Sequence, residues 1–568
     1  MLRRYVPLTV VLGVLCLVIA FDPTLAPRRI QVAVSPSTAG LGTGAATSGG
    51  ASRSTSVSSG SSAGPGNAPS SATGPSSGGG GAVGVGGPSS PPTTSVGIVA
   101  SSGGVSRGGV SCGPGARQVA WTVYAPPCLA AFTGNNGGAT AHGVTATTIT
   151  IAYRMSNSTQ DAAAFAALGS PNFSDATYVA DLQAYISLFN RQYELYGRKV
   201  VLKAFQGAGD WLSEDQGQDL PAAQADAQTS HDLGAFADIA FLYKATQPYE
   251  QFLAQDGVIG IGVPGMPQSF FSSNAPWLYS PWPTGDKLAG WAVNTACQHM
   301  VGQVASFAGD PTMRTQQRVF GIVTPDIPGY TESGAIMQQG LTACGATVGR
   351  RVAYGLNIPT FQNQANNIVA QMRAAGVTTI ICYCDPLMPA FLSQTADQQQ
   401  YDPEWMAATL GPTDELFRYS SQTQWAHAIS NQGASPTKQA SEAYRVYKLA
   451  DPTGEPQEDF YPTAYVLALE LFNGLQAAGP DLTPTNFELG TFSLPTTPTG
   501  QFGTWSYGTG AFTPGVDTQI GWWSPTLISN FDDQPGGWQS CSNGAFFPYA
   551  LDERSRWGAA GTPLDCFG

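Results

Sequence analysis

GVTATTITIAYRMSNST, residues Gly143 to Thr159, is where the chain starts to read as a folded protein. Ile149, Ile151 and Tyr153 alternate with other residues in a β-branched run, the period of a strand with a buried face. The run ends in side-chain hydroxyls and amides, Ser156, Asn157, Ser158 and Thr159, so its carboxyl end is supplied with hydrogen-bonding groups.

Upstream the character is different. Residues 30–111 are dominated by Gly, Ser, Pro and Ala, with SSGGGGAVGVGGPSSPP at their centre. So little apolar surface cannot offset the entropy of ordering, which predicts a disordered linker. As a flexible coil of about 75 residues it spans roughly 45–50 Å, enough to hold a domain off a surface. Before it, MLRRYVPLTVVLGVLCLVIAF places two arginines ahead of an apolar run of about 17 residues, long for a signal-peptide core and short for a spanning helix. Residues 1–29 are therefore read as a signal anchor or a signal peptide. Both export the rest of the chain, and the anchor also tethers it to a membrane.

Downstream, Tyr178, Leu182, Tyr185, Ile186, Phe189 and Tyr193 recur at helical spacing, and Gly197 stops the helix. Strands VVLKAF, ADIAFL and VIGIGVP then alternate with helices through GDKLAGWAVNTACQHMVGQVASF. The cadence restarts at RVFGIVTPD and runs through TESGAIMQQGLTACG, TVGRRVAYG, FQNQANNIVAQMRAAG and VTTIICYC. Strands alternating with helices in this way predict α/β architecture with parallel, doubly wound sheets, here as two lobes of similar plan. The expected divisions are a lead-in at 112–142, lobe 1 at 143–310 completed by about 437–480, and lobe 2 at 311–436 completed by about 481–529. Residues 530–568 are expected to be a mostly irregular tail.

Of nine cysteines, eight follow the apolar N-terminus. Proximity favours disulfides Cys112–Cys128, Cys297–Cys344 and Cys541–Cys566, in keeping with export. Cys382 and Cys384 stand two apart on one face of a strand, and both a strained bridge and two buried thiols are open. No second Cys or His cluster accompanies them, so no metal site is expected. The formal charge is −13 with 11% charged residues. Without a basic stripe, nucleic acid is excluded as a partner.

Several stretches in order resemble the extracytoplasmic solute-binding proteins of the type I periplasmic-binding fold, in the branched-chain amino acid (Leu/Ile/Val) receptor branch. They are GVTATTITIAYRMS, NRQYELYGRKVVLKAFQGAGD, ATQPYEQFLAQDGVIGIGVPG and RVFGIVTPDIPGYTESGAIMQQGLTACGATV. The resemblance covers about residues 143–525. It implies two lobes joined by three crossings that close on a small, amino acid-like ligand and pass it to an ABC transporter permease, with no cofactor. Ser156 and Asn157 then either face the cleft or cap the next helix. Tyr243, Lys244, Ala245 and Thr246 correspond to the hydroxyl-rich loop after the third strand. Gly265, Met266 and Gln268 belong to the loop after the fourth. Lys244 and Met266 depart from the family's small hydroxyl residues; Lys244 either pairs with an anionic ligand or points to solvent. In lobe 2, Tyr383 corresponds to an aromatic wall, and Asp385 or Asp414, beside Thr413, to an acidic partner for a ligand ammonium. Asp326 and Tyr330 are secondary candidates.

Four widely separated histidines, with no HExxH, catalytic serine motif or phosphate loop, give no reason to expect an enzyme. A second reading is a membrane-tethered sensory or cell-surface interaction protein that keeps the fold without transport. The linker and the aromatic tail (Trp522, Trp523, Trp538, Phe546, Phe547, Tyr549) favour it, although those rings equally suit a covered sheet edge.

Overall fold

The run that opens at Thr148 becomes β1 (Thr148–Met155), with Ile149, Ile151 and Tyr153 buried. The computed structural model describes residues 103–155, 173–241, 244–408 and 414–566. The N-terminal segment 1–29, the linker up to residue 102, and the site candidates Ser156, Asn157, Tyr243 and Thr413 lie outside the described residues. Among the described residues no helix is long and apolar enough to cross a membrane.

The expected linker ends before residue 111. Val105 bridges to Ser111, and the buried Ser106 hydroxyl accepts the Val110 N–H at 3.0 Å. These local bonds, with the Cys112–Cys128 disulfide, compensate for the scarcity of apolar side chains. Just ahead of β1, Gly143 adopts φ +73°, and a Cβ there would lie 2.3 Å from the Phe236 backbone nitrogen. Only glycine fits this approach of the lead-in to the sheet.

In the first lobe β1 is followed by α1 (Asp175–Gln192), β2 (Lys199–Gln206), α2 (Leu220–Asp232), β3 (Ala237–Ile239), α3 (Gln247–Gln255), β4 (Ile259–Ile261) and β5 (Leu278–Tyr279). The strands are parallel in the order β2-β1-β3-β4-β5, with Ile151 opposite Leu202 on one side and Ala237 on the other. α1 buries Tyr178, Leu182, Tyr185, Ile186 and Phe189, the face its spacing predicts.

Next come α4 (Gly285–His299), β6 (Val319–Pro325), α5 (Pro328–Ala343), β7 (Thr347–Tyr354), α6 (Phe361–Ala374), β8 (Thr379–Cys382), α7 (Met388–Gln398), β9 (Glu404–Ala407) and β10 (Ala428–Ser430). β7-β6-β8-β9-β10 are parallel and repeat the strand order of the first lobe. In each sheet the order reverses beside the first strand, and an open α/β sheet leaves a crevice outside its carboxyl ends at that point.

The chain then returns to the first lobe as α8 (Glu442–Ala450), α9 (Tyr461–Ala477) and α10 (Pro484–Phe492). α9 is apolar nearly all round and is buried on every side. A final crossing leads to β11 (Asp517–Thr518), β12 (Gly521–Ile528), β13 (Pro535–Ser540) and β14 (Phe547–Pro548). β12 adds antiparallel to β10, β13 adds antiparallel to β12, and β11 pairs with β14.

Packing moves three of the expected divisions. α4 lies before residue 310, yet Leu288, Trp291 and Val293 pack with Met337 and Leu341 of the second lobe. Conversely, Phe487, Leu494, Trp505 and Phe512 join the core of the first. Residues 530–568 are not mostly irregular: β13 extends the second sheet, and Trp557 and Leu564 pack on the α4 side of that sheet. Trp523 and Trp538 are buried with Phe417 and Trp425, so these tail aromatics form core.

Candidate functional site

Arg154, next to last in β1, is a cation in an otherwise apolar strand end and is 3% exposed. Its guanidinium donates to Glu214 Oε1 at 2.7 Å and Oε2 at 3.1 Å, to Asp226 Oδ2 at 3.3 Å, and to the Lys244 carbonyl. It also stacks on Tyr249, 3.8 Å from the ring centre. Such a bidentate, buried pairing offsets the desolvation of both partners and fixes the loops around it. Thr246 donates to the same Glu214, and its hydroxyl oxygen caps α3 by accepting the Tyr249 N–H at 3.3 Å.

Lys244 therefore differs from both sequence expectations. It is buried and its ammonium pairs with Asp175, which also accepts the Tyr153 hydroxyl at 3.0 Å. Arg154, Glu214 and Asp226 are functional candidates missed in the sequence. The one available signal is an arginine inside an apolar strand.

The loop after β4 faces the second lobe. The Gly265 carbonyl accepts the Tyr383 hydroxyl at 2.7 Å, and the Met266 carbonyl accepts the Gly285 N–H at 3.0 Å. Met266 is buried and packs in the core of the first lobe while lining the cavity described below. Gln268 turns away: its side chain donates to the Gly510 carbonyl and its N–H to Asp286 Oδ2, both at 2.6 Å.

On the second lobe, Tyr383 is buried and stacks on Tyr330 at 4.8 Å between ring centres. Asp385 accepts the Tyr354 hydroxyl at 2.5 Å and the N–H groups of Leu387 and Met388 at 2.8 and 3.3 Å. Asp414 is buried, accepting Ser529 Oγ at 2.6 Å and the Trp538 N–H at 3.2 Å. Asp326 is exposed and is not part of the cavity wall. Cys382 and Cys384 are bonded to each other, with their Cα atoms 5.2 Å apart. β8 ends at Cys382, so Cys384 has left the pleat and the flat-strand objection to a bridge does not apply. Disulfides also join Cys112–Cys128, Cys297–Cys344 and Cys541–Cys566.

Between the lobes, at the carboxyl ends of both sheets, lies a cavity of about 420 Å³. Ala245, Val263 and Met266 line it from one side, Ile327, Tyr330 and Cys384 from the other. Among the candidates, Ala245, Met266, Tyr330, Asp385 and Asp414 meet there, whereas Lys244, Thr246, Gln268 and Tyr383 are held in its supporting shell. Asp215 joins the wall from the first lobe. Burial, with the charge of neighbouring Glu214, pushes its carboxyl up to about 7. Burial also raises Asp385 and Asp414, against the hydrogen bonds they accept. Among the described residues, the one His/Cys/Asp/Glu group close enough to hold a metal is Cys541, Asp565 and Cys566, and its two thiols are joined in a disulfide.

No protein family and no curated protein matches the chain by sequence. Solved structures do match in shape. A solute-binding protein of an ABC transporter from R. palustris, in complex with 4-hydroxybenzoate, is 11% identical over 71% of this chain and 98% of its own, with a TM-score of 0.50. A leucine-, isoleucine-, valine-, threonine- and alanine-binding protein from Brucella ovis, in its closed conformation, is 12% identical over 71% and 96%, with a TM-score of 0.50. A fatty acid ABC transporter substrate-binding protein from Thermomonospora curvata is 13% identical over 74% and 97%, with a TM-score of 0.50. At such identities likeness speaks for architecture alone, and the architecture is that of the type I periplasmic solute-binding proteins.

Proposed function

We propose that this chain is an extracytoplasmic solute-binding protein that closes two lobes on a small ligand and delivers it to an ABC transporter. The observation that carries this reading is the cavity of about 420 Å³ walled by the strand ends of both lobes. That volume is in the range of small-molecule sites. The similar structures from R. palustris, Brucella ovis and Thermomonospora curvata are named for a benzoate complex, amino acids and a fatty acid, which supports a small organic solute without choosing among classes. Four disulfides support an oxidising, extracytoplasmic setting. Residues 1–29 would then hold the receptor at the membrane or direct its export, with the Gly/Ser/Pro-rich segment as its tether. No catalytic step is assigned. A tail filling the cleft would favour the surface-interaction reading instead; here Phe546 and Tyr549 contribute to the wall of an open cavity.

A thermal-shift screen of the full chain, disulfides intact, against amino acids, amides, amines, carboxylates and short peptides tests the reading. A one-site ligand at a hundred times its dissociation constant adds about 2.7 kcal/mol, on the order of a few degrees for a chain of this size. A stabilising solute is expected. Silence across the whole screen would move the reading to a contact protein.

A further inference from the structure

The cavity wall has an unbalanced charge. Among its described residues there is no Lys, Arg or His, and segments 156–172, 242–243 and 409–413 contain none in their sequence. The two cations at the strand ends of the first lobe are already engaged, Arg154 by Glu214 and Asp226, and Lys244 by Asp175. An anionic ligand therefore finds no side-chain countercharge. Carboxyl-bearing residues, in contrast, line the cavity from both lobes: Asp215, Asp385, Asp414, Asp459, Asp517 and Asp532, of which Asp532 is paired with Arg418 and Asp517 accepts the Thr504 N–H. Asp414 accepts Ser529 Oγ and the Trp538 N–H, and Arg418 is among the charges near it. Asp215 accepts the Gln247 backbone N–H, and the charges near it are Glu214 and the committed Arg154. Asp385 faces Tyr354 and backbone N–H groups, with no cation among its partners.

The rest of the wall is apolar and aromatic, including Trp211, Trp282, Tyr330 and Phe460. Ring faces attract cations as well as apolar surface. Trp282 is 9% exposed, and its buried Nε1 has no partner among the described residues.

We propose that the interlobe cavity is built for a small organic cation, an apolar body bearing an amine or quaternary nitrogen, with Asp215 and Asp385 as its countercharges. The proposal rests on the solute-receptor reading and narrows its ligand class. It sets this cavity apart from one that grips a carboxylate.

The test uses the full chain and pairs of probes matched in shape and opposite in charge: tyramine against 4-hydroxyphenylacetate, and phenethylamine against phenylacetate. Melting temperature and tryptophan fluorescence report binding, and choline serves as a quaternary probe. The amines are expected to stabilise and the acids to leave the protein unchanged. Amine affinity should fall about tenfold per pH unit below the titration of the carboxyl it pairs with, because the protonated carboxyl no longer attracts it. Asp215→Asn and Asp385→Asn are each expected to weaken amine binding about tenfold or more, the order of one lost charge-assisted contact. Asp385 also accepts the Leu387 and Met388 N–H groups at the start of α7, so Asp215→Asn is the cleaner variant, with circular dichroism checking both folds. Stabilisation by the acids and not the amines overturns the proposal and leaves the receptor reading standing. Amine binding that both variants and pH leave unchanged also overturns it. Silence from every probe, with a hit elsewhere in the broad screen, overturns the ligand class alone; silence from both overturns the receptor reading with it.

Discussion

The Tyr383 hydroxyl donates to the Gly265 carbonyl at 2.7 Å, tying the strand end of one lobe to the loop of the other. Tyr383 is buried and braced by Tyr330, so this bond belongs to the state in which the lobes are together. Tyr383→Phe keeps the ring and removes the bond, leaving the Gly265 carbonyl without that donor. The expected cost is about 1 kcal/mol of the closed state, with solute affinity about fivefold weaker and an unchanged circular dichroism spectrum. Calorimetric titration of the variant with a stabilising solute checks it.

Arg154 holds the first lobe's strand ends together. Arg154→Met leaves Glu214 and Asp226 buried without their cation, and the expected loss is about 3–5 kcal/mol. Arg154→Lys is expected to recover only part of this, because an ammonium cannot reproduce the bidentate bond to Glu214. Urea unfolding of the two variants makes the comparison.

Titration of buried groups gives stability a pH profile with two limbs. Burial raises Asp238 to about 6 and Asp215 to about 7, and drives Glu250 well above its ordinary value. With folded values above the unfolded ones, the folded state binds more protons in this window. Their contribution is therefore present at low pH and is lost as pH rises, for Asp238 and Asp215 from about 4 to 7. Desolvation lowers the half-buried Lys287 to about 7, so its contribution grows as pH rises from about 7 toward 10.5. Glu250→Gln should flatten the acid limb and Lys287→Met the alkaline one, read as melting temperature against pH.

Cys297 and Cys344 join α4 to the residue after α5, pinning the first crossing onto the second lobe. The bridge closes a loop of 47 residues. Chain entropy puts its worth at up to about 4 kcal/mol. The double Cys→Ala variant is expected to unfold at lower denaturant by no more than that amount.

The fold was legible where the side-chain period was strong. Ile149, Ile151 and Tyr153, and the face of α1 from Tyr178 to Phe189, lie where alternation and helical spacing predict. Lobe membership was less legible. α4 continues directly from the first lobe in sequence, and only the packing of Leu288 and Trp291 assigns it to the second. The tail was obscured by its glycines, because β13 is held by cross-strand pairing and by Trp538 rather than by β propensity. The cavity itself depends on long-range meetings. Lys244 looks available in sequence, but Asp175, far along the chain, neutralises it. Asp215, in a short polar helix, acquires its place only when the lobes meet.

Lobe closure on a solute is read by small-angle X-ray scattering of the full chain. The measurement compares the chain alone with the chain saturated by the solute that raises its melting temperature most. A smaller radius of gyration in the saturated sample, diminished in Tyr383→Phe, is the expected result. An unchanged radius at saturation would contradict closure and leave the two-lobed fold without the motion a transport receptor needs.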